Sequence, residues 1–401
     1  MEESPKKRPR GDGIDITDAA DSGKVDKKQT NVPLTYDILR LVFKELNGME
    51  LSRASMVCRS WLEAANDERR TRGPTYFMQN CKNLLVNEKW SMERIKTQCI
   101  KELQIKPALG LFFTARSVPF TQRDCHCKVL PPNCNTVTLG THGVVFNDTE
   151  IEANVDNVVC TFLPEIPGVT IQTFVIGDNS TTKQDVSVSL INYIEKIREA
   201  LDKPQKTQFS YVNSKCLLLF CDLRGREFAI KLSDSLRKRY YGSNISVWGG
   251  TAKNLLVCNA KDSENDRCGE FAFCVGITLT GAINTWSLLV NSKFENTVRQ
   301  RVKMWRHRVR LQKHSIGLMF ACFARGKYLY HKDKVESTIF KEIFPEVPLV
   351  GCFGDGEFGI ASSLRGDFIN EEWFNVRSTV FLIITYGGNS HLLPRLLRTR
   401  S

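Results

Sequence analysis

VPLTYDILRLVFKELNGMELSRASMVCRSWLEAA, residues Val32–Ala65, decides how this chain divides. Ile38, Leu39, Val42, Phe43 and Leu46 recur at helical spacing and share one face. Asn47-Gly48 supplies a helix stop, because Gly tolerates the left-handed conformation that ends helices. Leu51, Ala54, Val57, Cys58, Trp61, Leu62 and Ala65 form a second apolar face. The stretch predicts two short amphipathic helices joined by a turn, extended by a third helix through Asp67–Arg72 until Gly73-Pro74 breaks it. So small a unit cannot bury its own apolar surface well, so it needs the rest of the chain or a partner.

The remainder has the composition of a folded protein. At 401 residues, 42% hydrophobic and 25% charged, the chain suits more than one domain. No apolar run reaches the roughly eighteen residues that span a bilayer, so no membrane partner is expected. MEESPKKRPRGDG at the start is polar and is not expected to act as a secretory signal. The fourteen cysteines are therefore expected as reduced thiols. Cys216, Cys221, Cys274 and Cys322 lie in apolar runs, where Cys behaves as a small hydrophobe.

The net charge of +12 is concentrated. Arg299–Lys313 holds Arg299, Arg301, Lys303, Arg306, Arg308, Arg310 and Lys313 and no acid, and Arg395, Arg398 and Arg400 close the chain. Val298, Val302, Trp305 and Val309 form one stripe, so the basic stretch reads as a helix docked on the core with a positive outer face. Arg301, Arg306, Arg308 and Arg310 are its candidate surface for an acidic partner. No DNA- or RNA-binding motif accompanies it, so nucleic acid is not the expected partner. Residues 1–30 have almost no large apolar residues and are expected to be disordered. Within them Lys6, Lys7, Arg8 and Arg10 form a candidate nuclear-import signal.

Beyond the hairpin, Trp90–Ile105 reads as a helix and the rest as short apolar runs among helices. Runs such as Leu109–Thr114, Gly143–Phe146, Val158–Leu163, Thr170–Ile176, Lys215–Cys221, Glu270–Ile277, Ser315–Phe323, Leu349–Phe353 and Thr379–Tyr386 read as strands. Val186–Leu201, Phe228–Tyr241 and Lys334–Ile343 read as helices. The fold class is α+β: a small helical unit followed by a mixed α/β module. No internal repeat is evident.

Candidate chemistry is sparse. Gly354-Asp-Gly-Glu-Phe-Gly359 matches G-x-G-x-x-G, but Asp355 and Glu357 would face a pyrophosphate and no long helix follows, so a tight glycine turn is the better reading. Cys125, His126, Cys127, Cys134 and His142 lack paired zinc spacing, and a loop of reduced, oxidation-sensitive thiols is expected instead. No His joins a nucleophile in a catalytic arrangement. The chain is expected to be non-catalytic and to need no metal or cofactor.

Two resemblances sharpen the picture. Pro33, paired aliphatics and Val57-Cys-Arg-Ser-Trp61 resemble the F-box. That resemblance implies a receptor subunit of a cullin-type ubiquitin ligase, with Pro33, Leu34, Ile38, Leu39, Phe43, Leu46, Val57 and Trp61 at the positions that build the helical pair and meet the Skp adaptor. Pro33, Leu34 and Leu39 are expected to face the adaptor, and Val57 and Trp61 to hold the hairpin together. Further on, Ile316–Gly326 with its Cys322-Phe-Ala-Arg-Gly326 ending, and Phe344–Gly359, resemble FIST C-terminal domains. Phe162–Phe174 and Gly249–Asn254 add to that likeness. It implies a tail over 1–30, an F-box over 31–75, FIST halves over 76–295 and 296–390, and a basic tail over 391–401. The combination implies capture of a protein substrate for ubiquitination and proteasomal degradation in nucleus and cytoplasm, through the adaptor and its cullin and RING subunits. The alternative is a small-ligand sensor tethered by its F-box, with a ligand site at Cys322, Arg325, Gly326, Asp355, Gly356 and Glu357.

Overall fold

A computed structural model describes residues 34–80, 85–86, 89–90, 103–115, 130, 133–152, 156–177, 183–203, 215–258, 269–362 and 372–387. Contacts divide the chain into Met1–Thr35 and Tyr36–Ser401. In the first unit only Leu34 and Thr35 are described, both exposed. Pro33, Lys6, Lys7, Arg8, Arg10, Cys125, Cys127 and the basic tail over 391–401 lie outside the described residues.

The second unit opens with helices α1 (Tyr36–Lys44), α2 (Gly48–Ala54) and α3 (Arg59–Thr71). Strands β1 (Thr75–Asn80), β2 (Leu85–Val86) and β3 (Lys89–Trp90) follow. The body then runs in three stretches. The first holds β4 (Pro107–Ala115), β5 (Asn135–Gly140), β6 (Gly143–Phe146), β7 (Thr149–Glu152), β8 (Asn157–Pro164) and β9 (Val169–Gly177). The second holds α4 (Lys183–Asp202), β10 (Lys215–Cys221), α5 (Arg226–Arg239), β11 (Ile245–Thr251), β12 (Asn254–Cys258), β13 (Gly269–Gly281) and β14 (Asn284–Val290). The third holds α6 (Glu295–Arg306), β15 (His314–Cys322), α7 (Gly326–Tyr330), α8 (Val335–Ile343), β16 (Leu349–Gly354), β17 (Glu357–Gly359), β18 (Phe374–Asn375) and β19 (Thr379–Tyr386).

Strand pairing shows the repeat that the sequence does not. The leading strands β4, β10 and β15 each run parallel to the next long strand of their own stretch, β5, β11 and β16. Each is also antiparallel to a later one, β8, β13 and β19. After a two-residue turn the chain crosses to a different stretch: β6 pairs with β16, β12 with β5 and β17 with β11. The outer places are filled cyclically as well, but in the opposite sense, by β1 on β8, β9 on β13 and β14 on β19. The body is thus three copies of one unit arranged in a cycle, with the segment after α3 supplying the strand that the first unit lacks. Local apolar patterning cannot reveal this, because the pairings that define it lie between units.

The long central strands are buried on both faces, which explains the unbroken apolar runs. Leu111 and Phe113, Leu218 and Phe220, and Leu318 and Phe320 turn inward to a shared core. The alternate residues turn outward, Leu217 and Leu219 toward α4 and α5, Met319 and Ala321 toward α6 and α8. At the shared centre the Trp248 ring meets Phe113, Phe220 and Phe320 edge-on, at 6.2, 5.6 and 6.0 Å between centroids. Those three rings come from the leading strands of the three units. The indole N–H donates to the Val380 carbonyl at 3.1 Å, so the polar end of this buried side chain is satisfied.

Several expectations need correction. Trp90 lies in β3, not at the start of a helix. The basic helix begins at Glu295 and ends at Arg306, so Arg308 and Arg310 lie beyond it. Gly354–Gly359, by contrast, is the tight turn that was expected: strand, turn and strand, without the helix a dinucleotide-binding turn needs.

Helix α8 shows how the body uses its edges. Its N-cap residue, Lys334, is left-handed and offers no side-chain cap. Glu150 reaches across from β7 instead, its Oε1 accepting the Ser337 N–H at 2.8 Å, while its Oε2 is buried without a partner. Burial pushes this carboxyl up to about 7, and nearby Glu336 adds to the effect against the Ser337 bonds.

Two outcomes are expected. Trp248→Ala lowers unfolding free energy by ~3–5 kcal/mol in urea titration; a loss under about 1 kcal/mol would remove Trp248 as the hub. The raised Glu150 pKa favours the folded state fully below about pH 4.5, and that benefit is lost as pH rises through about 7. Glu150→Gln, which mimics the protonated form, should therefore gain on wild type between pH 5 and 8. The ceiling is ~3 kcal/mol, at about 1.4 kcal/mol per tenfold change in proton affinity, read from melts across that range.

Candidate functional site

The helical unit is built around Leu39, Phe43, Leu51, Ala54, Ala64 and Ala65, edged by Tyr36, Leu46 and Trp61. Phe43 and Trp61 meet edge-on at 5.3 Å. The third helix starts earlier than the expected Asp67–Arg72, at Arg59, because the chain turns between Ser55 and Cys58 and splits the second apolar face between α2 and α3. Asn47 is a start signal and not a stop. Its side chain accepts from Met49 and Glu50 N–H, and Glu50 accepts from the Asn47 N–H, a full capping box. Gly48 is present for closeness: a Cβ there would lie 2.4 Å from the Ile105 carbonyl oxygen.

This arrangement redistributes the expected roles. Leu39 is 1% exposed and Phe43 0%, so neither is on the surface; both hold the helices together. Val57 is 61% exposed and holds nothing. The outward face of α1 carries Ile38, Leu41 and Val42 at i, i+3 and i+4, with exposures of 43%, 62% and 48%. Met49, Met56 and Leu62 are exposed on the same unit. Leu41, Met49 and Met56 were not singled out from sequence, and Leu62 was read as part of an apolar face and not as a surface residue. For Leu41 a helical wheel of α1 alone would have sufficed, since it lies opposite the Leu39–Phe43 side. Large apolar groups left on so small a unit are the mark of an interaction surface.

The unit is fastened to the body. Gly48 N–H donates to the Leu103 carbonyl at 3.1 Å. Arg72 at the end of α3 donates from Nη2 to the Phe43 and Lys44 carbonyls, at 2.8 and 3.2 Å, and from Nη1 to Gln104. Its Nε bonds Glu68 at 3.1 Å, and both side chains are nearly enclosed. A cleft of about 420 Å³ runs along the seam, lined by Asn66, Arg69, Lys106 and the Pro164–Pro167 turn. Lys106 and Glu165 pair across its edge at 2.8 Å.

The second candidate site is brought together only in part. Cys322 and Glu357 are neighbours, and Glu357 Oε2 accepts from the Ser378 N–H and hydroxyl at 3.0 and 2.6 Å. Arg325 is 1% exposed and its guanidinium is fully engaged: Nε with Glu336 at 2.9 Å, Nη1 with the Arg377 carbonyl at 3.0 Å, Nη2 with the Ser292 carbonyl and the Tyr330 hydroxyl at 2.8 Å each. It organises the fold and is enclosed away from solvent, with a partner on each of its three nitrogens. Gly326 sits at φ +56°, where a Cβ would lie 2.3 Å from Glu152. Asp355 and Gly356 form the turn after β16. Asp355 accepts from His142 Nε2 at 2.8 Å, which holds its carboxyl below the usual range. Burial and the Glu357 charge push the Cys322 thiol up, which makes it a poor nucleophile.

The basic cluster is partly neutralised. Arg299 pairs with Glu295 and Glu342, and Arg306 pairs with Glu346 at 3.5 Å while lying over the Phe344 ring. Arg301 reaches Asn291, and Arg308 and Arg310 are exposed. Cys134 is buried, and among the described residues no group of three His, Cys, Asp or Glu side chains could hold a metal ion.

Arg72→Ala should destabilise the protein by ~3 kcal/mol or more, because it leaves Glu68 buried and unpaired and the α1 carbonyls uncapped. Hydrogen exchange should speed up across α1–α3 in particular. Arg72→Lys should not rescue it, since an ammonium cannot reproduce the fork.

Comparison with known proteins bears on this geometry. Residues 34–73 match the F-box domain family. Over 391 residues the chain is 23% identical to F-box only protein 22 of Pongo abelii and of Homo sapiens, covering 88% of this chain and 93% of each relative. Among solved structures, cyanuic acid hydrolase from A. caulinodans covers 78% of this chain and 99% of its own, at 9% identity and a TM-score of 0.38, a likeness too slight to carry an argument. The three helices with the exposed Ile38–Leu41–Val42 face therefore form an F-box domain, in a chain similar along most of its length to F-box only protein 22.

Proposed function

We propose that this chain is the substrate-recognition subunit of an SCF-type ubiquitin ligase. α1–α3 bind the Skp adaptor and, through it, the cullin and RING subunits. The α/β body, read as a FIST module, holds a target protein for ubiquitination and proteasomal degradation, in nucleus and cytoplasm. The observation that carries this reading is the exposed apolar row Ile38, Leu41 and Val42, within the segment that matches the F-box domain. The likeness to F-box only protein 22 over most of the chain supports the same assignment for the body.

Catalysis in such a complex comes from a charged enzyme carried on the scaffold. The contribution of this chain is proximity, which raises the effective concentration of the target lysine at the thioester. No side chain of the body needs to do chemistry, in keeping with the enclosed Arg325 and Glu357. The two sequence halves, 76–295 and 296–390, share strands through β6 on β16, β17 on β11 and β14 on β19, so they present the target as one body.

The test is adaptor capture. Leu41→Asp with Val42→Asp, both outward-facing, should keep the fold and weaken capture by about tenfold or more. Leu39→Ala should instead lower the stability of the helical unit. Undiminished capture by the double variant would sink the assignment of this face.

A further inference from the structure

The row Val290, Thr379, Ala321, Phe353, Gly143 and Glu152 crosses the six-stranded sheet in continuous register. The C-terminal ends of β14, β15 and β16 and the N-terminal end of β19 therefore meet along one rim. Buried Arg325 ties three loops of that rim together, since it lies in one loop and donates to Ser292 and Arg377 in the other two. Each loop leaves large apolar groups in solvent: Phe294 on the first, Phe323 and Tyr328 on the second, Val376 on the third, with Tyr328 77% exposed. All four lie within three residues of Arg325 or of a residue it bonds, about 11 Å along the chain at most.

The Tyr328 side of the rim opens into a cleft of about 690 Å³, lined also by Glu150, Glu152, Lys327, Asp333 and Lys334. The two glutamates at its base are turned to helix N–H groups, Glu150 to Ser337 and Glu152 to Lys327. What remains exposed around the apolar groups among the described residues is mainly cationic: Lys293, Lys327, Lys332, Lys334 and Arg377, against the acids Asp333 and, just ahead of the third loop, Glu372. Asp333 and Glu295 pair with Lys327 and Lys332 at 3.4 and 3.5 Å, which leaves Lys293, Lys334 and Arg377 to set the sign.

Such a surface is built for a protein partner. Its apolar anchors are large and exposed, its loops are tied by an enclosed arginine, and its flank is positive. We propose that this rim is the target-capture face, and that it takes a protein segment bearing apolar side chains flanked by carboxylates. The proposal rests on the receptor reading for its biological meaning, while the binding itself is testable separately.

A phage-displayed library of random peptides is selected against the full chain. The enriched peptides are then titrated against a rim variant, Phe294→Ser/Tyr328→Ser/Val376→Ser, and a charge variant, Lys293→Glu/Lys334→Glu. Melting temperature and adaptor capture report whether each variant is folded. The expected result is enrichment of peptides with Phe, Leu or similar residues beside Asp and Glu, with binding reduced about tenfold or more in both folded variants. Enrichment of basic peptides, equal binding by both variants, or no enrichment overturns the proposal. So does concentration-dependent dimerisation that the rim variant abolishes, which would give the face to a second copy. Failure of wild type to capture the adaptor, with peptide binding intact, would instead remove the ligase reading and leave the rim as a binding face.

Discussion

Three units can share one interior only if something fills the point where their inner faces meet. Trp248 does this. Its ring touches one phenylalanine from each leading strand, and its N–H is satisfied by Val380 on β19. The outer faces of two sheets are then covered by helices, and those helices fix the loops at the strand ends. The rim around Arg325 is a downstream product of that central packing.

Most of the long strands were legible because burial on both faces leaves a continuous apolar run, as in Lys215–Cys221 and Thr379–Tyr386. β5 reads Asn-Thr-Val-Thr-Leu-Gly and β17 only Glu-Phe-Gly, so neither carries that signal. The cyclic repeat left one trace, Cys-x-x-Arg-Gly after both β10 and β15. Even there the copies differ: Arg224 lies on the surface over Phe273, while Arg325 is enclosed among three loops. A pentapeptide cannot say which environment it will meet.

The F-box segment illustrates the opposite limit. Its family pattern was legible, yet the pattern does not separate residues that hold the helices from residues that face outward. Leu39 and Val57 exchange their expected roles because the inner stripe of α1 is Leu39 and Phe43, with Ile38, Leu41 and Val42 beside it in solvent. The seam adds a further constraint. Arg72 and Gly48 tie the unit to the segment that enters β4, so a partner held at α1 is held in a set orientation to the body.

The cyclic exchange of strands also has a cost in time. β6 emerges from the ribosome early, but its partner β16 begins some 200 residues later, from Phe146 to Leu349. At about 5–20 residues per second, the edge of β6 waits ~10–40 s for its neighbour. During synthesis the body is an open sheet seeking a missing strand, so this protein should lean on chaperones while it is being made, well before it meets any partner.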